Sequence, residues 1–434
     1  MKTLIKNLSE IYTGDDNPFH IKNGYIIINN NQIEKIGSGS LPPHVIKERN
    51  FDKIIDGSNK MALPGFVNCH THAAMSLLRG IADDLPLQEW LKEIIWPVEA
   101  SLTPEDIYWG SKFAIMEMIS GGTTTFSDMY FSMEQVARAA SETGIRAVLG
   151  QGLIEEKDGP EGLKTALDFA VKWKGKANGK IKTVLAPHAP YTCSPSYLCD
   201  IIELSKKNNF LIHIHLAETK KELQFINKNY NASPVEHLNN IGLLETPLLA
   251  AHCVHVKPHE FSLMKKHNVG VAHNPVSNMK LGSGIAPIAE LLEHNINIGL
   301  GTDGAASNNN LDLIEEARTA SYLQKVEKND PSLLNLQQLL QMLTQNGARV
   351  LKINKLGILK NNYLADIILI NKKNDLANYP EHNSLSNLFY AGNRKLVDTV
   401  IVDGQIIYKN CSFVNLDQQE VLAEVTKRAQ KLTD

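Results

Sequence analysis

Eight short apolar runs alternate with helix-like stretches between residues 63 and 355, and this alternation constrains the fold more than any other feature. The runs occupy residues 66–72, 123–128, 147–150, 181–187, 211–215, 248–252, 269–273 and 296–303. Strands that alternate with helices form parallel sheets, and eight such units in this length are typical of an α/β (β/α)8 TIM-like barrel. A doubly wound sheet also alternates in this way, so the repeat favours the barrel without excluding that alternative.

Both ends of the chain are rich in short strands. At the start, residues 25–28 and 32–36 flank three asparagines, a spacing typical of a β-hairpin. Near the end, residues 364–370 and 397–407 have a similar strand-like pattern. Because chain termini often lie close together, we expect both ends to form one small β-sandwich domain. The predicted division is 1–62 and 356–434 for the small β domain and 63–355 for the barrel.

The overall charge and composition exclude several kinds of partner. The 434 residues include 44 Lys and Arg against 47 Asp and Glu, so nothing indicates binding to nucleic acid or anionic lipid. We therefore expect a small-molecule partner. No apolar run is long enough to span a membrane, and the first residues lack the apolar stretch of a signal peptide. Five scattered cysteines without a Cys-x-x-Cys pair indicate reduced thiols, so we expect a cytoplasmic protein.

Polar residues at the ends of the runs indicate where chemistry occurs. His70 and His72 close the first run two residues apart, so in a strand both side chains point to one face. The polar residues at the other ends are Asp128, His188, His215, His252, His273 and Asp303. Active sites of such barrels form at the C-terminal ends of the strands. Three imidazoles and a carboxylate there, with one open coordination position, predict a catalytic metal site.

Glu218 is the candidate proton carrier. It lies three residues beyond His215, just past the end of a run. A metal-activated water needs a base to accept its proton, and a leaving group needs an acid, and one carboxylate can do both in turn. Glutamates in such positions often cap helices or lie at the surface, but the adjacent histidine favours the catalytic interpretation.

Longer stretches of the chain resemble a known family. The His-x-His on the first strand, the later histidines and the aspartate on the last strand resemble the amidohydrolase superfamily. The fuller stretches resemble its bacterial 5-methylthioadenosine/S-adenosylhomocysteine deaminases: LPGFVNCHTHAAMSLLRG at 63–80, LQEWLKEIIWPVEASL at 87–102, APHAPYTCS at 186–194, IHIHLAET at 212–219, VAHNPVSNMKLGSG at 271–284 and GTDGAASN at 301–308. The resemblance covers almost the whole chain, and residues 79–99 are the part most particular to this branch.

The resemblance implies a role for each matching residue. Those that match the ligands of one divalent metal ion, usually Zn²⁺, are His70, His72, His215 and Asp303. Those that match catalytic groups are Glu218, His252 and Asp303, and those that match substrate-contacting positions are Glu99, His188 and Glu218. A carboxylate suits a ribose diol because it only accepts hydrogen bonds. No Lys stands at the fourth strand end to bridge two ions, and relatives commonly form dimers or tetramers, so we expect one ion per subunit and a homo-oligomer.

One residue departs from the family pattern. Where part of the family has an arginine, after the run that ends at Gly150, this chain has Gln151. Gln151 can bind a ribose or ring by hydrogen bonds but cannot form an ion pair with the carboxylate of an amino-acid tail. The sequence therefore favours 5-methylthioadenosine over S-adenosylhomocysteine as substrate. Lys157, within a mainly acidic stretch, or a residue from another subunit could supply the missing charge.

These features predict hydrolytic deamination of adenine in nucleoside thioethers, and also in adenosine, to inosine-type products and ammonia by metal-activated water. The same metal ligands also serve deaminases of guanine, other aminopurines or pyrimidines and triazine chlorohydrolase-like enzymes, and these alternatives stay open. Hydrolysis of a cyclic amide is disfavoured because the bridging lysine is missing. A non-catalytic barrel is disfavoured because the candidate ligands and Glu218 are all present.

Overall fold

The computed structural model describes residues 1–373 and 375–433. The chain begins with five strands of a mixed sheet. These strands are β1 (Lys2–Tyr12), β2 (His20–Asn29), β3 (Gln32–Ser38), β4 (Lys53–Asp56) and β5 (Lys60–Pro64). β2 and β3 form the antiparallel hairpin that the sequence predicts. β1 pairs antiparallel with β2 and parallel with both β4 and β5, so it lies inside the sheet.

The next eight strands form a parallel barrel. They are β6 (Phe66–Thr71), β7 (Thr123–Tyr130), β8 (Arg146–Leu153), β9 (Ile181–Pro187), β10 (Leu211–Leu216), β11 (Leu248–His252), β12 (Gly270–His273) and β13 (Asn297–Leu300). Each pairs with its sequence neighbour in order from β6 to β13. The chain after β13 then returns to β6, where the backbone N–H of Asp303 donates to the carbonyl of His70 at 3.0 Å. The predicted (β/α)8 barrel is therefore confirmed over the doubly wound alternative.

Helices alternate with the barrel strands. The helices between residues 104 and 350 are Pro104–Ser120, Met133–Thr143, Glu155–Trp173, Pro195–Asn208, Lys220–Tyr230, Pro234–Asn240, Pro258–Lys266, Pro275–Lys280, Ile288–Glu293, Ala305–Asn308, Leu313–Lys328, Leu336–Leu343 and Gln345–Val350. The shorter or terminal helices are Pro43–Glu48, Leu87–Glu89, Trp96–Glu99, Ser384–Ser386 and Gln418–Thr433. Helix Pro104–Ser120 begins at Pro104, because Thr103 caps the helix and a proline at its first position needs no helical N–H partner.

Apolar side chains fill the barrel from inside and cover it from outside. Val67, Val148, Val184 and Leu249 are buried together within the barrel, where they pack against helix Gln345–Val350. A larger apolar cluster joins the outer faces of the strands to the surrounding helices. Strands buried on both faces are continuously apolar, and this is why the eight runs are visible in the sequence.

The C-terminal strands complete the first sheet. They are β14 (Ile367–Asn371), β15 (Val397–Val402), β16 (Gln405–Lys409) and β17 (Ser412–Phe413). β14 pairs antiparallel with β5, which joins the two chain ends in a nine-stranded sheet. The prediction that both chain ends form one small β domain is thus confirmed, and one continuous sheet builds that domain. Its bounds at residues 62 and 355 stay a prediction.

A buried ion-pair cluster joins this sheet to the barrel. Arg146, on β8, donates to Asp366 and Asp403, each at 3.1 Å. The C-terminal helix Gln418–Thr433 lies against helix Pro104–Ser120, where Arg428 and Asp106 form an ion pair of 2.6 Å. In the part of the chain that the structure describes, no helix has both the length and the apolar character needed to cross a bilayer.

Candidate active site

Five of the predicted polar residues meet at the C-terminal end of the barrel. His70 and His72 lie at the end of β6, His215 lies on β10, and His252 ends β11. Asp303 lies three residues beyond β13 and has a positive φ of 60°. Within the described residues, two overlapping groups could hold a metal ion: His70, His72 and His215, and His70, His252 and Asp303. The parallel strands of the barrel therefore bring together polar side chains that are spread over 234 positions of the sequence.

The ligand atoms converge closely. The Nε2 atoms of His70 and His72 lie 3.4 and 3.3 Å from Oδ1 of Asp303. The Nε2 atoms of His72 and His215 are 3.3 Å apart. Nε2 of His70 is buried and has no hydrogen-bond partner among the described residues. Such a buried nitrogen is costly unless something else binds it.

The second nitrogen of each ring fixes its orientation. Nδ1 of His72 donates to the carbonyl of Met129, and Nδ1 of His215 donates to the carbonyl of His188, both at 2.6 Å. A carbonyl only accepts hydrogen bonds, so Nδ1 of each ring carries a proton, and the neutral form of the ring has its lone pair on Nε2. Nδ1 of His70 lies 2.9 Å from Nε2 of His213. Such contacts orient the ligands of metal sites.

Burial also favours the neutral form of His70 and His215. Burial lowers the pKa of His70 to about 4 and holds the pKa of His215 well below its usual value. Oδ2 of Asp303 accepts hydrogen bonds from Ser277 at 2.6 Å and Ser307 at 2.8 Å, which leaves Oδ1 facing the imidazoles. Neutral imidazole nitrogens and one carboxylate oxygen are the ligands that a catalytic zinc site uses. These residues therefore fit a divalent metal ion.

Glu218 lies beside this cluster, in the loop after β10. Its side chain is buried, and Oε2 is 3.9 Å from Nε2 of His252. Burial raises the pKa of Glu218, so a proton is held more readily than on an exposed glutamate. Nδ1 of His252 donates to Oδ1 of Asn278 at 2.8 Å, which turns Nε2 toward Glu218.

Glu222 holds this loop in place, and sequence reasoning missed it. Its two carboxylate oxygens accept the backbone N–H groups of Ala217 at 2.8 Å and Glu218 at 2.9 Å. Ala217 has a positive φ of 51°, a conformation that L-residues adopt only when surrounding contacts hold it. A signal was present, because Thr219 and Glu222 have the Thr-x-x-Glu spacing of a helix start, and Thr219 does cap that helix.

A cavity of about 330 Å³ is lined by His72, His215, Glu218, His252 and Asp303 and by two further predicted residues. Glu99 lines it and accepts a hydrogen bond from the hydroxyl of Tyr130 at 2.5 Å. His188 also lines it, with Nδ1 3.0 Å from Oγ1 of Thr192. Trp90, with other apolar side chains, forms much of the wall. The cavity thus has charged groups at defined points within an apolar surface, as ligand sites commonly do.

Three predicted residues have other surroundings. β8 continues three residues past Gly150, so Gln151 is part of a strand and, among the described residues, is not one that lines the cavity. Its Oε1 instead accepts the backbone N–H of Met133 at 3.4 Å. Asp128 accepts hydrogen bonds from Thr71 and from the backbone of Ala73.

His273 is likewise buried, and its ring nitrogens have no partner in the described ranges. Neither Asp128 nor His273 lines the cavity described above. A position at a strand end is therefore not enough to place a side chain in the active site, because alternate residues of a strand point to opposite faces.

Comparison with known proteins agrees with the fold. The chain matches the Amidohydrolase family over residues 61–407, which include the whole barrel. It therefore belongs to the amidohydrolase family.

Individual relatives identify the branch. The 5-methylthioadenosine/S-adenosylhomocysteine deaminase of Halothermothrix orenii is 53% identical over 99% of this chain and 100% of its own. The protein of that name from Carboxydothermus hydrogenoformans is 50% identical over 99% of this chain and 98% of its own. An adenosine deaminase structure from Xanthomonas campestris with bound zinc has a TM-score of 0.94 and 31% identity, covering 99% of this chain and 98% of its own. The resemblance inferred from the sequence stretches is confirmed.

Proposed function

We propose that the protein hydrolyses the amino group from adenine in nucleoside thioethers such as 5-methylthioadenosine and S-adenosylhomocysteine. The products are ammonia and the inosine-type nucleoside. One observation carries the proposal: a single cavity is lined both by the His and Asp cluster with Glu218 and by Glu99. The first group suits hydrolysis at a purine carbon, and the second suits a ribose. The names of the curated relatives support the same substrates.

His70, His72, His215 and Asp303 would hold one divalent ion per subunit. We propose Zn²⁺, because three of the four ligands are imidazoles and a relative 31% identical to this chain contains zinc. When bound, such an ion would lower the pKa of a water ligand to about 7.

Glu218 would move the proton during the reaction. It takes a proton from the attacking water and gives it to the ring nitrogen next to the carbon that bears the amino group. The raised pKa of Glu218 suits both steps, since an acid–base group works best when its pKa lies near the working pH. A new C–O bond forms at the ring carbon, the C–N bond to the amino group breaks, and ammonia leaves.

His252 and Asp303 would orient the water. Because Nδ1 of His252 donates to Asn278, its Nε2 can accept a hydrogen bond from the water. Asp303 is held by two serine hydroxyls on one oxygen, so its other oxygen faces the reaction centre. These two residues help to pass the remaining proton of the water to the leaving amino group.

Glu99 and His188 would bind the nucleoside. Tyr130 occupies one oxygen of Glu99, and the remaining acceptor capacity of the carboxylate suits the two donors of a ribose diol. Burial lowers the pKa of His188 to about 3, so it would meet the substrate as a neutral ring. Trp90 and other apolar side chains of the cavity would pack against the base and the thioether.

We also propose a cytoplasmic homo-oligomer, a dimer or tetramer. The free thiols of Cys69, Cys193 and Cys253 support a reducing compartment, since all three are buried and unpaired in the described chain.

The test is ammonia release from the purified, zinc-loaded protein. The panel contains 5-methylthioadenosine, S-adenosylhomocysteine, adenosine, guanine, cytosine and a chlorotriazine. We expect ammonia from the nucleosides, with the thioethers preferred, and none from the free bases. Activity only on a free base, or chloride release from the triazine alone, would contradict the proposed substrate.

A further inference from the structure

The cavity that holds the proposed reaction centre adjoins a second cavity of about 760 Å³. The two share six lining residues, which are Trp96, Glu99, Phe131, Ile154, Lys157 and Tyr191. Glu99, the proposed ribose contact, is one of them. A substituent that leaves the ribose away from the base therefore has a path into the second cavity.

One turn of helix places Lys157 where the two cavities meet. β8 ends at Leu153, and the backbone N–H groups of Lys157 and Asp158 both donate to the carbonyl of Ile154, at 3.1 and 2.8 Å. Gly159 interrupts the helix with a φ of 52° and a ψ of −156°. The turn is therefore a separate, short element that presents Lys157 to both cavities.

The acidic neighbours of Lys157 are mostly engaged elsewhere. Asp158 accepts the backbone N–H of Ile154 at 2.7 Å. Glu155 accepts both the backbone N–H and the hydroxyl of Ser194, at 2.5 and 2.9 Å. These two carboxylates build the turn, so the acidic composition of residues 155–158 does not imply an anionic surface that would repel an anion from Lys157.

The ammonium group of Lys157 remains available to bind an anionic ligand. In the described ranges, no carboxylate oxygen forms an ion pair with it within 4.0 Å, and it lies 4.9 Å from the centre of the Phe131 ring. It is also the only Lys or Arg among the described residues that line either cavity. Glu156 lines the second cavity beside it. A ligand with both an anionic and a cationic group would meet opposite charges there.

We propose that Lys157 binds the carboxylate of the amino-acid tail of S-adenosylhomocysteine and sets the preference between that substrate and the tail-free thioether. This inference rests on the proposed function, because it takes the ribose to lie at Glu99. The methyl group of 5-methylthioadenosine carries no charge and gains nothing from Lys157. Lys157 therefore supplies the charge that Gln151 cannot, and Gln151 lies against Met133 instead.

The test compares kcat/KM for ammonia release from the two thioethers in K157M, K157R and K164M. Lys164 is the matched control, because it lies seven residues further along the chain, beyond the interruption at Gly159, with its side chain 68% exposed and paired with Glu161. We expect the ratio of kcat/KM for S-adenosylhomocysteine to that for 5-methylthioadenosine to fall by about fivefold or more in K157M, through KM. The ratio stays within about twofold of wild type in K157R and K164M. Added salt lowers the ratio in wild type and not in K157M, because it screens the ion pair.

Two results would overturn the assignment and leave the proposed function intact. One is an unchanged ratio in K157M while ammonia is still released from both thioethers. The other is a wild-type enzyme that deaminates 5-methylthioadenosine and leaves S-adenosylhomocysteine untouched. Absence of ammonia from both thioethers with the wild-type enzyme is a different result, since it would remove the proposed function itself and the Lys157 assignment with it.

Discussion

Single hydrogen bonds decide which nitrogen each candidate metal-binding histidine presents. The spacing of His70 and His72 predicts that both rings lie on one face of a strand, and the structure has them there. The sequence could not show that the carbonyl of Met129 fixes the tautomer of His72, because that acceptor lies on the next strand. Contacts across strands depend on register, which spacing along the chain does not contain.

The proton-carrying role of Glu218 has a direct test in E218Q. Glutamine fills the same space and cannot carry a proton, so we expect kcat to fall by about a hundredfold or more. Zinc content and the thermal midpoint should stay near those of wild type. E161Q is the matched control, because the Glu161 side chain is 79% exposed, pairs with Lys164 and is not one of the described residues that line either cavity. Substantial activity in E218Q would refute the assignment.

Asp128 should make stability depend on pH. Burial raises its pKa from 3.8 to about 6, so the folded protein holds this proton more tightly than the unfolded chain. Stability is therefore lost as pH rises between these two values and is level above them, by about 3 kcal/mol at most. In D128N the side chain stays neutral and can still accept from Thr71 and Ala73, so its thermal midpoint should fall less over that range.

Chelator should be present in both D128N and wild-type samples, because metal binding is itself pH-dependent. Parallel curves of midpoint against pH for the two proteins would contradict this account of Asp128.

At the scale of elements, the apolar runs predicted where strands lie better than where they end. The run at 147–150 is the core of β8, which continues to Leu153 through Gln151 and Gly152. Those residues lack an apolar pattern and are nevertheless paired with β7 or β9. The stretch from 336 to 350 forms two helices, Leu336–Leu343 and Gln345–Val350, which are separated at Thr344. Backbone pairing and tertiary packing set these limits, and neither is visible in local sequence.

The ion-pair cluster of Arg146 is the clearest test of how the elements are joined. In R146M the carboxylates of buried Asp366 and partly buried Asp403 lose their cation, which we expect to destabilise the protein by about 3–5 kcal/mol. R138M is the control, since the Arg138 side chain is 43% exposed and its ion pairs are worth about 1 kcal/mol or less. Denaturant unfolding of the two variants measures the difference. Equal losses would show that the cluster does not stabilise the junction.

At the scale of the whole molecule, the site assembles residues from barrel strands that are far apart in the sequence. The resemblance supplied the candidate substrate contacts Glu99, His188 and Glu218 because their local stretches are distinctive. It did not supply Tyr130, whose contact with Glu99 joins separate segments, or Glu222, which holds the loop before its own helix. Gln151 is the opposite case. Its position in the sequence matches a substrate contact, but its side chain accepts a hydrogen bond from the backbone of Met133.

Metal removal tests the assembled centre. We expect a chelator to abolish activity and lower the thermal midpoint, because a ligand that binds only the folded state stabilises it. Added Zn²⁺ should restore both. Elemental analysis of the restored enzyme should give one zinc per chain. Two ions per chain, or full activity without metal, would contradict the proposed centre.

The central claim is hydrolysis at the amino-bearing carbon of adenine. The most direct measurement is mass spectrometry of the product formed from 5-methylthioadenosine in water enriched with heavy oxygen. The account predicts an inosine-type thioether that carries one heavy oxygen on its base, with one ammonia released per product. Free adenine, an unlabelled base or an unchanged nucleoside would contradict it.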